Sequence, residues 1–123
     1  MSKQIQLGLQ GYGYQVLTAD APEEGLALAA QKKPKIIVLS LDVKGGMSGF
    51  DLCRRLREWS ATPIIALSIQ NHKKIRIEAF NVGADDFISI PFDMEEVEAH
   101  IRARLPLKKQ QCRSSNPGRW LGN

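Results

Sequence analysis

Pro34-Lys35-Ile36-Ile37-Val38-Leu39-Ser40 and Pro63-Ile64-Ile65-Ala66-Leu67-Ser68 decide the class of this chain. Both are short apolar runs opened by a proline, and neither alternates apolar with polar residues. Continuous runs rich in isoleucine and valine mark strands covered on both faces. Between them, Gly49 introduces a segment with Leu52, Cys53, Leu56 and Trp59 at helical spacing. Strand, helix, strand in that order predicts a parallel sheet joined by right-handed crossovers.

The same alternation extends outward. Ile75, Ala79 and Val82 predict a helix closed by Gly83, and Phe87-Ile88-Ser89-Ile90 reads as the next strand. Asp93, with Glu96 three residues on, opens a helix whose stripe is Met94, Val97, Ile101 and Leu105. Upstream, residues 1–10 read as a short helix carrying Ile5 and Leu9, with Tyr12 at the same spacing. Tyr14-Gln15-Val16-Leu17-Thr18 has strand composition. Asp20 is the expected N-cap of a helix that starts at Pro22 and stops before Pro34.

One domain is expected at 123 residues, with 43% hydrophobic and 24% charged content. Of the 17 basic residues, six lie from Ile101 onward with no acid among them, which leaves 11 basic against 13 acidic residues before that point. The body is therefore mildly acidic and the end basic. Residues 1–105 are expected to form the domain and residues 106–123 a basic, disordered tail. No apolar run approaches a membrane span and the start lacks a signal-peptide core, so a cytoplasmic protein without membrane contact is expected. Cys53 and Cys112 belong to no metal-ligand spacing, and free thiols are expected in that compartment.

In order and spacing, several segments resemble receiver domains of two-component response regulators. Pro34 to Ser40 is similar to the family's third strand, Met47-Ser48-Gly49-Phe50 to its Met-Asp-Gly-Phe turn, and Gly83-Ala84-Asp85-Asp86-Phe87 with Pro91-Phe92 to its Gly-Ala-Asp-Asp-Tyr and Lys-Pro-Phe signatures. Arg57-Glu58-Trp59-Ser60 with Pro63 to Ser68 resembles the OmpR-like winged-helix branch, including its potassium-transport regulators. The resemblance covers about Ile5 to Leu105. It implies a flavodoxin-like (CheY-like) α/β fold, a parallel sheet with flanking helices. The family's first strand and its acidic pair are expected to be missing, since the chain reads as starting inside the first helix. It also implies a cis bond between Ile90 and Pro91.

The chemistry implied by the family departs here. Ser40 stands at the phosphoacceptor position, Ile90 at that of the phosphate-pairing lysine, and Ser68 at the Ser/Thr switch position. Asp42, two residues beyond Ser40, is the alternative acceptor, although counting from Pro34 puts it past the strand end, where a carboxylate is usually solvated. No catalytic residue, metal or cofactor is expected. The resemblance further implies a symmetric dimer contact with cross-subunit charge pairs. Arg76 and Glu96 match one pair. Asp85 and Asp86 match the acids of a second whose arginine is replaced by His100, and Asn81 replaces the acid that would meet Arg102. Solvated helix charges are the competing reading of these seven residues.

The function these readings imply is a pseudo-receiver: a phosphorylation-independent interaction module in transcription-regulatory signalling, partnering itself and another signalling protein. The alternatives are nucleic-acid binding through the basic tail, or an enzyme on a flavodoxin-like sheet. Against an enzyme, the chain has no Gly-rich phosphate loop and no Ser/His/Asp arrangement, and His72 and His100 lack partners nearby in sequence. Self-association is expected, through an exposed strand edge or the Arg76/Glu96 face. As a monomer, the chain is expected to slide Tyr14–Thr18 in beside Ile36–Leu39.

Overall fold

The two apolar runs become neighbours. The computed structural model describes residues 2–42 and 47–105. In it, Ile37–Ser40 (β1) pairs in parallel with Ile64–Ser68 (β2), in register from Ile37↔Ile64 to Ser40↔Leu67. Strand β2 pairs in parallel with Asp86–Ser89 (β3), from Ile65↔Asp86 to Ser68↔Ser89. The sheet order is β1-β2-β3, and every residue of β2 is buried.

Side chains alternate across a strand, so β2 feeds two cores. Ile64 and Ala66 point into a layer completed by Ala29, Leu52, Cys53, Leu56, Ile75 and Ala79. These come from helices Pro22–Lys32 (α2), Gly49–Arg57 (α3) and Lys73–Asn81 (α4). Ile65 and Leu67 point the other way, onto Ile5 and Leu9 of Ser2–Gly11 (α1) and Val97 and Ile101 of Met94–Arg104 (α5). Burying one such side chain contributes about 1.5–3 kcal/mol.

Helix starts are set locally. Ser48 Oγ accepts from the Asp51 N–H at 3.1 Å, opening α3, and His72 Nδ1 accepts from the Ile75 N–H at 3.3 Å, opening α4. Gly49 is the first residue of α3 because β1 runs past it: a Cβ there would collide with Ser40 O and lie 2.6 Å from Leu41 Cα. Gly83, with φ at 112°, turns the chain out of α4 where a side chain would strike Arg57.

Four sequence expectations are corrected. Tyr14–Thr18 joins no strand and does not slide in beside β1; the described sheet has three strands. Its Tyr14 and Val16 instead pack, half-buried, on the α1/α5 layer. The Tyr14 hydroxyl donates to Glu98 Oε2 at 2.9 Å, which gives this segment an anchor other than a ladder. Trp59 is 51% exposed rather than packed with Leu56, because α3 ends at Arg57 and the periodicity stops there. Tyr12 is likewise exposed, one residue past the end of α1. Asp20 is not the cap of α2: Ala21 is, and the Asp20 N–H donates to Glu24 Oε1 at 3.1 Å. The Ile90–Pro91 bond is cis, as the resemblance implied. Cys53 is a buried free thiol whose pKa burial pushes up, while Cys112 and the expected disordered tail lie outside the described residues.

Two measurements check this architecture. Gly49→Ala is expected to destabilise the fold by about 2–3 kcal/mol in urea titration, because the backbone of β1 cannot yield to a methyl group. The second concerns Glu98, whose carboxyl is held below the usual range first by the Tyr14 hydroxyl and then by Arg102, against the opposing effect of burial. A carboxyl lowered in the folded state contributes stability above its unfolded pKa of about 4.3, and loses it as pH falls through the folded value. Tyr14→Phe should therefore lower Tm at pH 7 and converge on the wild type in acid.

Candidate functional site at the carboxyl ends of the strands

Parallel strands leave their carboxyl ends facing one edge of the sheet, the usual place for chemistry in this architecture. Here that edge carries Ser40, Asp42 and Ser68. Backbone pairing continues one step past the ladder, with the Leu41 N–H donating to Leu67 O at 2.8 Å. The turn that follows brings Asp42 back over the end of β2. Its N–H donates to Ser40 Oγ at 3.2 Å. Its carboxylate accepts from Ser68 Oγ at 2.9 Å through Oδ1 and from the Ile69 N–H at 2.7 Å through Oδ2.

The expectation of a solvated Asp42 is therefore corrected: the side chain is half-buried and both oxygens are engaged. Ser68 is fully buried, and its hydroxyl also accepts from the Gln70 N–H at 3.0 Å. Ile90 lies half-buried against the α1/α5 layer, and its N–H donates to Ser68 O at 2.8 Å. The position before the cis proline thus carries an alkyl group packed on that layer and brings no cation to this edge. Among the described residues, no three His, Cys, Asp or Glu side chains come together as a metal site would need.

The seven charged or polar residues of the implied dimer face are not brought together as one set. Arg76 donates to Asn71 Oδ1 at 2.8 Å, and Asn81 and Glu96 are exposed. Asp86 accepts from His100 Nδ1 at 2.5 Å and lies 3.7 Å from Arg104 Nε. Arg102 donates to Glu98 Oε1 at 2.9 Å. Asp85 pairs with Arg57, and its Oδ2 also accepts from the Ile64 N–H at 2.8 Å.

Two arrangements escaped sequence reading. The Arg57 guanidinium gathers Gly83 O at 2.8 Å and Thr62 O at 2.7 Å besides Asp85, tying the end of α3 to the starts of β2 and β3. No spacing signals a contact between residues 28 apart. Glu98 was legible in principle. It stands four residues after Met94 and three before Ile101, inside the apolar stripe of α5, where a lone carboxylate requires partners.

The comparisons agree with this geometry. The model of the response regulator receiver domain matches residues 1–102. The chain is 39% identical over 101 residues to the KDP operon transcriptional regulatory protein KdpE of Escherichia coli (strain K12), a match covering 82% of this chain and 44% of KdpE. It is 38% identical over 113 residues to the transcriptional regulatory protein YvrH of Bacillus subtilis (strain 168), covering 91% of this chain and 47% of YvrH. The chain thus spans less than half the length of these curated relatives. Among solved structures, the chemotaxis protein CheY4 of Vibrio cholerae superposes with a TM-score of 0.78 at 26% identity, covering 84% of this chain and 88% of that one. With parallel strands, flanking helices and these matches in accord, the chain belongs to the response regulator receiver domain family and is the receiver domain of a two-component response regulator.

Proposed function

We propose that this receiver works without aspartyl phosphorylation, as a protein-interaction module in transcription-regulatory signalling, and not as an enzyme. The observation that carries this reading is the engagement of both Asp42 oxygens, by Ser68 Oγ and the Ile69 N–H, beside a strand that ends in Ser40. Each bond makes the oxygen that accepts it a weaker nucleophile, and phosphoryl transfer to a carboxylate also needs cations to neutralise the charge that develops. Ser40 Oγ accepts from the Asp42 N–H, and a serine hydroxyl there would not form the acyl phosphate that the family uses. Ile90 supplies no charge where the family would place a lysine. The degenerate character of the domain is part of this proposal. So is a cytoplasmic setting; no described helix is long and apolar enough to cross a membrane.

Its first partner, on this reading, is a second copy. Asp85, Asp86, His100 and Arg102 each have a charged partner inside the protomer, whereas Arg76 bonds only the neutral Asn71 and Glu96 is exposed, so Arg76 and Glu96 are the charges proposed to meet a neighbour. Ile77 and Phe80 on α4 are each 48% exposed and supply apolar surface beside Arg76. Strand β1 is an edge of the described sheet, and its Ile36-Ile37-Val38-Leu39 run lacks the charges that usually blunt an edge. A second signalling protein would use one of the same two surfaces.

Incubation with acetyl phosphate or beryllofluoride and Mg²⁺ is expected to leave both the intact mass and the amide spectrum unchanged. Stoichiometric modification at Asp42 would overturn the proposal. Sedimentation at micromolar concentration should show a dimer, which Arg76→Glu shifts toward monomer if α4 and α5 form the contact. An unchanged dimer in that variant would assign the contact to β1, and a monomer well above micromolar concentration would sink self-association altogether.

A further inference from the structure

Ile69 presents a contradiction. The residue is 66% exposed, yet its N–H is held by Asp42 Oδ2 at 2.7 Å. The turn leaving β2 is therefore positioned by polar bonds to one carboxylate and not by packing of its own apolar residue. Ser68 Oγ extends the tie, donating to Asp42 Oδ1 and accepting from the Gln70 N–H at 3.0 Å. The next two residues then fix α4. Asn71 Oδ1 accepts from Arg76 at 2.8 Å, and His72 Nδ1 accepts from the Ile75 N–H at 3.3 Å. Two groups of hydrogen bonds, one joining Asp42 to residues 68–70 and one joining residues 71 and 72 to the first turns of α4, are thus consecutive along the chain. That helix buries only Ile75 and Ala79, so its packing alone holds it lightly.

We propose that Asp42 is a built-in anion that pins the turn after β2 and thereby sets the position of the first turn of α4. A carboxylate supplies the same two acceptor oxygens to a hydroxyl and an amide that an added anion would supply, and it does so permanently. Asp42 is a positioning residue in this scheme: it touches no partner and acts through the turn. The inference rests on the phosphorylation-independent reading for its permanence, while the pin itself is a matter of geometry.

Residue-resolved amide exchange on the full chain tests it. In the wild type the Ile69 and Gln70 amides should be protected despite their exposed setting. Asp42→Ala should accelerate both by about tenfold or more, with Ile75 and Arg76 following, while Leu67 and Ile101 keep their wild-type rates. Asp42→Asn, which retains one oxygen acceptor, should fall between. Ser68→Ala should release Gln70 but leave Ile69 protected by the carboxylate. Should Asp42→Ala unfold the whole domain, Asp42→Asn decides by the same amides. Fast exchange at Ile69 in the wild type, or α4 amides indifferent to loss of the carboxylate, would overturn the pin and leave the phosphorylation question untouched. A beryllofluoride response in a wild type whose Ile69 stays protected would overturn the pin's permanence together with the function proposed above.

Discussion

Everything in this domain is arranged around the burial of one five-residue strand. Ile64, Ile65, Ala66, Leu67 and Ser68 are each at most 2% exposed, and their alternation obliges the chain to supply cover on both faces. Helices α2, α3 and α4 answer Ile64 and Ala66, and helices α1 and α5 answer Ile65 and Leu67. Neither set of helices can be removed without exposing half of the strand. Apolar burial of this kind outweighs the exposed ion pairs around it, such as Arg54–Asp51, which contribute about 0–1 kcal/mol each.

The polar groups at the ends of β2 follow from the same constraint. A buried strand still has backbone donors at its margins, and each must find an acceptor. Asp85 Oδ2 takes the Ile64 N–H where the strand begins, and Asp42 Oδ2 takes the Ile69 N–H just beyond its end. Carboxylates from opposite ends of the sheet thus bracket the strand. Arg57 holds the first of them, and Ser68 holds the second. One bracket fixes the helix α3 side of the domain, and the other lies at the edge where receivers place their chemistry.

Much of this was legible from residues alone, for reasons that separate what was seen from what was missed. The apolar runs of β1 and β2 declare double burial by composition, and Ile75, Ala79, Val97 and Ile101 declare their faces by periodicity. Counting along β1 put Ser40 correctly at its end and Asp42 beyond it. What counting cannot convey is that the chain turns back there, so that a residue past the strand returns over its neighbour. Tyr14–Thr18 misled because strand composition describes side chains, whereas a strand exists only through a partner's backbone. Trp59 misled because helical spacing was extended two residues beyond the last helical turn. Arg57 with Asp85, and Tyr14 with Glu98, are pairs separated by 28 and 84 positions, and only the fold brings them within reach.

The Tyr14–Glu98 bond has a consequence for cooperativity. Helix α1 and the extended segment after it contribute no strand to the sheet; they reach it through side chains, above all Ile5, Leu9, Tyr14 and Val16, and through one phenolic hydrogen bond. Local opening follows the least connected parts of a structure. This N-terminal portion can therefore lift from α5 while the strand ladder and the opposite helical layer stay closed. Its detachment would leave Ile65, Leu67 and Ile88 covered by Val97 and Ile101 of α5 alone, while the sheet keeps α2, α3 and α4 on its other face.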